Sequence, residues 1–428
     1  MVPERWLILA DDLTGAADSA IAFARRGLAA SVAWSAEAPD DVVLALDAAS
    51  RRLAPAQAAA RHRTLLETHH TEGVGLFKKI DSTLRGQPAA ELAATIRLLR
   101  ERGRGALSVV APAFPATGRT TEAGRVRLNG QALEDTPLWA RDHSYPNADL
   151  AAVLAAASLQ VRLAALHDVR AGPETLARLV RDAIAAGLDA VVCDASTQDD
   201  LDTVAQATLP LAGQVFWTGS AGLAQALAQA LAQALAHALP GTAADGFPGA
   251  EPVFGAGGIL FVVGSVAEAS RAASALLAVN GSLLTEAITP AALQGGPDAA
   301  DWQASSRRIA RVLAAGGDVL VEIAADPGAD LSQGAELAGL LAGLLQSTAS
   351  SIGALFATGG ETAVALLDAL GVTGIRLLEE IEPGVPLGLT RGALTIPVVT
   401  KAGAFGDAGT LSRCLSHLRR LRRTEFPA

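Results

Sequence analysis

Short apolar runs, regularly spaced, limit what this chain can fold into. In order along the first half they are "WLILA", "SVAW", "VVLAL", "GLFKKI", "LSVVAP", "AVVCDA" and "QVFWTG". Runs this short and this rich in β-branched residues suit parallel strands buried on both faces. Helical stretches such as Pro88 to Arg102 and Pro173 to Ala186 separate them. Strand alternating with helix predicts an α/β domain of the doubly wound kind. Near residue 240 the texture changes to "LPGTAADGFPGAEPVFGAGG", crowded with glycine and proline, which reads as a boundary. Alternation then resumes through "ILFVVGS", "DVLVEIA", "ALFATGG" and "LTIPVVTK". The expectation is two α/β domains with mainly parallel sheets: residues 1–240, a linker at 241–257, and residues 258–428, with the active site in the cleft between them.

Composition removes several functions. At 428 residues with a formal net charge of -10, the chain lacks the basic face that non-specific nucleic-acid binding needs. The one arginine cluster, "RRLRR" at 419–423, reads as a solvated helix end favoured by the helix dipole. Cys193 and Cys414 form no C-x-x-C, the histidines show no ligand spacing, and the N-terminus has no signal-peptide pattern. Zinc and a disulfide framework are therefore not expected, and a cytoplasmic location is. "AGLAQALAQALAQALAHALPG" carries a glutamine or histidine about every four residues, so it reads as a helix that does not span a membrane.

Four stretches of the first half are candidates to carry chemistry. "ADDLTGAADSA" places Asp11 and Asp12 at a strand end, where open α/β sheets bind ligands. Successive side chains on an extended segment point to opposite sides. One aspartate can therefore face the crevice and meet a hydroxyl while the other caps or braces the turn. A phosphatase of the D-x-D type needs both carboxylates on one side of a metal, and D-D is the wrong spacing. "LFKKIDSTLRG" gathers Lys78, Lys79, Asp81, Ser82 and Arg85 at another strand end. Lys78, Lys79 and Lys401 are the chain's only lysines, which points to a use for their compact charge. One of Lys78 and Lys79 is expected to face a ligand and the other a helix or carboxylate, in a clamp for carboxylate or phosphate. "DAASRR" would bring Ser50 and Arg51 to the same sheet edge, and "APAFPATGRTTEAG" suits a rigid loop carrying Arg119.

The second half offers glycine turns after strands: Gly264-Ser265, then Thr358, Gly359, Gly360 and Glu361, then Lys401 and Gly403. Such turns let backbone amides approach phosphates at a helix start. There is no Walker-type G-x-x-x-x-G-K-[ST] and no dinucleotide G-x-G-x-x-G.

"ADDLTGAADSA", "KKIDSTLRG", "APAFPATGRTT", "TGSAGLA", "TGGETA", "IEPGVPLG" and "KAGAFG" occur in this order. With them the chain resembles the four-carbon acid sugar kinase family over nearly its whole length. That resemblance implies an N-terminal domain for the sugar acid and a C-terminal domain for ATP. It implies sugar-acid contacts from Asp12, Arg51, Lys79, Ile80, Asp81 and Ser82, and ATP contacts from Ser265, Thr358 to Glu361, and Gly403. "DDLTGAAD" looks more like the threonate and erythronate kinases than the 3-oxo-tetronate kinases, so D-threonate is the expected substrate, with D-erythronate or 3-oxo-tetronate the alternatives. Mg²⁺ is expected with ATP. Asp12 is the expected base for the 4-hydroxyl and Asp81 the alternative; Lys401 is expected to meet charge on the γ-phosphate, unless its loop uses backbone groups alone. The expected ligands are a sugar acid and ATP, with no nucleic acid and no membrane, and a homodimer is the one assembly considered. Two rival readings are a non-catalytic sugar-acid sensor and an enzyme using Lys79 as a Schiff base.

Overall fold

The computed structural model describes residues 2–34, 39–142, 145–238, 254–264, 268–324, 334–403 and 405–425. By internal contacts the chain divides into two units, the first comprising Met1–Trp34 and Asp40–Phe247, the second in the main Pro248–Ala428. Most of the expected linker lies outside the described residues.

The first unit opens with β1 (Arg5–Ala10), β2 (Ala30–Ala33), β3 (Val43–Asp47), β4 (Val74–Lys79) and β5 (Leu107–Ala111). A small antiparallel sheet follows, of β6 (Arg119–Glu122), β7 (Arg125–Leu128) and β8 (Gln131–Ala132). Then come β9 (Val161–Ala164), β10 (Ala190–Cys193) and β11 (Val215–Gly219). The main strands run in the order β2-β3-β1-β4-β11-β5-β10-β9, all parallel. β1 shows why: after Arg5 every residue is buried, as a strand covered by helices on both faces requires. Trp6 stacks at a tilt on Phe23 and Trp217, with ring centroids 5.6 and 5.2 Å apart, a geometry that aromatic pairs favour.

The strand order places the chemistry. After β1 the chain turns to one side for β2 and β3, and β4 returns to the other side of β1. The carboxyl ends of β1 and β4 therefore flank the point where the winding reverses, where such sheets bind ligands. Three helices matter there: α1 (Leu13–Ala24), α2 (Pro55–His69) and α3 (Pro88–Glu101).

The second unit holds β12 (Gly258–Val263), β13 (Leu284–Ile288), β14 (Val319–Ile323), β15 (Ile352–Thr358), β16 (Val372–Glu382), β17 (Val385–Gly392) and β18 (Pro397–Lys401). Their order is β13-β14-β12-β15-β18-β17-β16. The five strands from β13 to β18 are parallel, and β17 and β16 add an antiparallel hairpin. Its core includes Phe261 and Phe356, stacked with centroids 4.9 Å apart.

The α/β class with mainly parallel sheets is as expected. The apolar runs did not point to β9, β13 or the hairpin. β9 and β13 are edge strands with exposed positions, so they lack a continuous apolar run. β16 carries charged residues along its length. Among the described residues no helix is long and apolar enough to cross a membrane.

Candidate active site

The two aspartates that end β1 share one guanidinium. Arg51 reaches back from the loop after β3, donating from Nε (2.7 Å) and Nη2 (3.0 Å) to Asp11 and from Nη1 (2.6 Å) to Asp12. The Ser50 and Arg51 amides also donate to the Asp11 carbonyl. Asp11 is buried, and the two-pronged contact suits the planar fork of arginine. Asp12 also caps α1, accepting from the Gly15 amide (2.9 Å) and the Thr14 hydroxyl (2.8 Å). Asp12 thus caps the turn, and Asp11 anchors Arg51. Asp12 remains the more open of the two, with 17% of its side chain exposed against 2% for Asp11.

Burial opposes the charge on Asp12, but Arg51, Lys79 and the Thr14 hydroxyl together hold its carboxyl below the usual carboxylate range. For Asp81 burial is likewise overcome, chiefly by Arg85 and then by Arg51 and Lys79, and its carboxyl lies well below that range. Asp81 accepts from Arg85 Nε (2.9 Å) and Nη2 (2.8 Å), and from the Thr83 amide (3.2 Å) and hydroxyl. With its oxygens so engaged, Asp81 orients Arg85. Ile80 donates its amide to Gly219 at 2.9 Å and buries its side chain, so it contributes no side-chain polar group. Ser82 follows in the same turn, nearly buried.

The two lysines of β4 part company. The Lys78 ammonium is fully buried, 2.7 Å from Glu91 of α3 and 3.0 Å from the Lys79 carbonyl. Of the two expected orientations, Lys78 takes the one toward a helix carboxylate. Its partner Glu91 also accepts from the Ser50 hydroxyl at 2.6 Å, and His62 of α2 lies 2.9 Å from that hydroxyl and 3.3 Å from Glu91. Burial, then the nearby Lys78 charge, holds the His62 ring below its usual range despite Glu91. Neutral imidazole then donates through Nε2, leaving Nδ1 as an acceptor. This buried chain links Ser50, next to Arg51, with Lys78, next to Lys79. Glu91 and His62 went unread in the sequence, because an acidic residue in a helix's first turn is ordinarily a dipole partner.

Lys79 faces the other way. A Cβ on Gly15 would stand 2.8 Å from its ammonium and 2.5 Å from Asp12 Oδ1. The ammonium thus lies over the amino end of α1. A cation there is disfavoured by the helix dipole and an anion is favoured. Lys79 and the helix start together suit the carboxylate of a small acid, with Arg51 and Arg85 alongside.

In the second unit, three adjacent parallel strands, β12, β15 and β18, bring their glycine turns to one edge. The Gly264 amide donates to the Thr358 carbonyl (3.2 Å), and the Gly359 amide to the Lys401 carbonyl (3.3 Å). The Thr358 hydroxyl donates to the same carbonyl at 3.1 Å. Gly359, at φ +94°, allows the helix Gly360–Ala369 to start here, with Glu361 exposed in its first turn. Lys401 is buried and donates to the carbonyls of Ala402 (3.0 Å), Gly403 (3.3 Å) and Phe405 (2.7 Å) and to the Ser270 hydroxyl (3.3 Å). Burial brings its ammonium down to about 8. Lys401 thus shapes the loop after β18, its ammonium turned to that loop's own carbonyls. Ser265 lies outside the described residues. Among those residues no group of three or more His, Cys, Asp or Glu side chains could hold a metal ion.

Residues 6–227 match a family model described as a sugar-binding N-terminal domain, and residues 260–411 one described as a nucleotide-binding C-terminal domain. The chain is 42% identical to a D-threonate kinase of Cupriavidus necator, over 95% of this chain and 96% of that protein. It is 36% identical to a D-threonate kinase of Bordetella bronchiseptica, over 98% of each, and 29% identical to a D-erythronate kinase of Heliobacterium modesticaldum, over 99% of each. A solved structure from Salmonella typhimurium LT2 shares the fold with a TM-score of 0.80 at 18% identity, covering 96% of this chain and 98% of that one.

Glu91→Gln removes the charge that balances buried Lys78 and should cost about 3–5 kcal/mol, measured as a fall in unfolding free energy in urea. Gly15→Ala forces Lys79 from its seat over α1. A displacement of about 1 Å at a reacting centre costs about 10²-fold; a loss of that order in kcat/KM for the small acid is expected, with the KM for nucleotide unchanged.

Proposed function

The chain belongs to the four-carbon acid sugar kinase family, and we propose that it transfers the γ-phosphoryl group of ATP to the 4-hydroxyl of D-threonate. The observation that carries this reading is the Asp12–Arg51–Lys79 constellation where the winding of the first sheet reverses, with cations for a carboxylate beside an ionised aspartate for a hydroxyl. The choice of D-threonate is supported by the kinases of that name that resemble the chain over almost their full lengths. D-erythronate and 3-oxo-tetronate differ from it around one carbon and remain the alternative acceptors.

In this reading residues 1–240 hold the sugar acid and residues 258–428 the nucleotide. Lys79, at the start of α1, receives the acid's carboxylate, with Arg51 and Arg85 beside it. Asp12 accepts the hydrogen bond of the 4-hydroxyl and takes its proton as the phosphoryl group arrives. A weakly basic carboxylate suffices, because phosphoryl transfer relies on positioning and charge neutralisation more than on a strong base. Asp81 serves by fixing Arg85. The Gly264, Thr358–Glu361 and Gly403 turns offer backbone groups to the ATP phosphates. Mg²⁺ bound with the nucleotide would neutralise phosphate charge while keeping several waters. The arrangement gives Lys79 an anion-binding seat, which supports the clamp over a Schiff base, and the nucleotide-type second unit argues against a bare sensor.

ADP release should be fastest with D-threonate in a panel of four-carbon sugar acids, and Asp12→Asn should lower that turnover by about 10²–10⁴-fold with the KM for ATP little changed. Activity with none of the acids, or near-normal turnover in the variant, would count against the reading.

A further inference from the structure

Asp47 ends β3 in register with Ala10 of β1 and is 5% exposed. One of its carboxyl oxygens accepts the Ala49 amide at 2.6 Å, with Ala49 turned to φ +46°. The charged groups around it are Asp11 and Asp12 from the end of β1 and Arg51 from its own loop. Beyond them lie Lys79 and Asp81 at the end of β4, then Arg85 and Arg119. The ion pairs of Arg51 run to Asp11, Asp12 and Asp81, and that of Arg85 to Asp81. Asp47 thus lies buried in the cluster while these cations engage other carboxylates. Burial, eased by the Ala49 amide but reinforced by Asp12 and Asp11, pushes its carboxyl up to about 7.

The cluster sets four carboxylates (Asp11, Asp12, Asp47, Asp81) against four cations (Arg51, Lys79, Arg85, Arg119). An acid ligand brings a fifth anion. A buried carboxylate that other anions crowd is the one most readily discharged. We propose that Asp47 takes up a proton from solvent when a small carboxylic acid binds at the Arg51–Lys79 site, so that the cluster accepts the ligand's charge without a surplus. This rests on the reading that the first unit binds a sugar acid there. Asp47 is then a positioning residue: it acts through Arg51 and Asp12 and does not itself meet the reacting atoms.

The sign follows from linkage. The protonated form binds the acid, so affinity falls as pH rises above about 7, by up to about tenfold per unit. Below about 6 Asp47 already holds its proton and binding takes up none. Calorimetry of D-threonate binding to the full chain, in HEPES and in Tris at pH 8 and in MES and in imidazole at pH 6, tests this. At pH 8 the two enthalpies should differ by the buffers' ionisation heats times an uptake approaching one proton, and at pH 6 they should agree. Asp47→Asn should abolish the uptake at pH 8 and flatten the affinity between pH 6 and 9. Binding with equal enthalpies in both buffers at pH 8, or uptake that persists in the variant, overturns the inference while leaving the functional reading intact. No binding of any four-carbon acid overturns both. The wild-type titration decides the matter even where the variant fails to fold.

Discussion

The candidate site hangs on one guanidinium. Arg51 holds both aspartates at the end of β1 and thereby locks the loop after β3 against that strand. Burial penalises its charge, yet Asp11, Asp12 and Asp81 outweigh the penalty and raise its already high pKa further. The usual cost of burying ions is recovered only where geometry is good and the remaining donors are satisfied. Here the bidentate contact to Asp11 and the second contact to Asp12 meet that condition. Behind it, the Ser50–His62–Glu91–Lys78 chain fixes the residues next to Arg51 and Lys79, so the loop after β3 is tied both to β1 and to β4.

Much of this was legible in the sequence, for identifiable reasons. Parallel strands buried on both faces leave continuous apolar runs, so β1, β3, β4, β5 and β11 could be read directly. Edge strands and the charged β16 leave no such run and could not. The site residues were legible as local clusters at strand ends. Their partners were not, because Glu91 and His62 lie on helices and become neighbours of Lys78 and Ser50 only once the sheet is wound. The parting of Lys78 and Lys79 could be foreseen from strand alternation, but which lysine faced which way could not. Asp12 proved harder still: the cap of α1 looked like a task for one aspartate and the pairing with a cation for the other, and Asp12 does both.

The second unit shows the same limit from another side. A lone lysine beside a glycine-rich loop invites a role at phosphate. Yet Lys401 gives its protons to carbonyls of its own loop, and its value is to hold that loop's shape. In the proposed reading, backbone groups at the ends of β12, β15 and β18 meet the nucleotide, and the charged cluster of the first unit meets the small acid.

A crystal structure of the chain with a four-carbon sugar acid bound tests this most directly. The acid's carboxylate is expected within hydrogen-bond distance, about 3 Å, of Lys79 at the start of α1, with a terminal hydroxyl at Asp12. An acid seated away from the ends of β1 and β4, touching neither Asp12 nor Lys79, would contradict it.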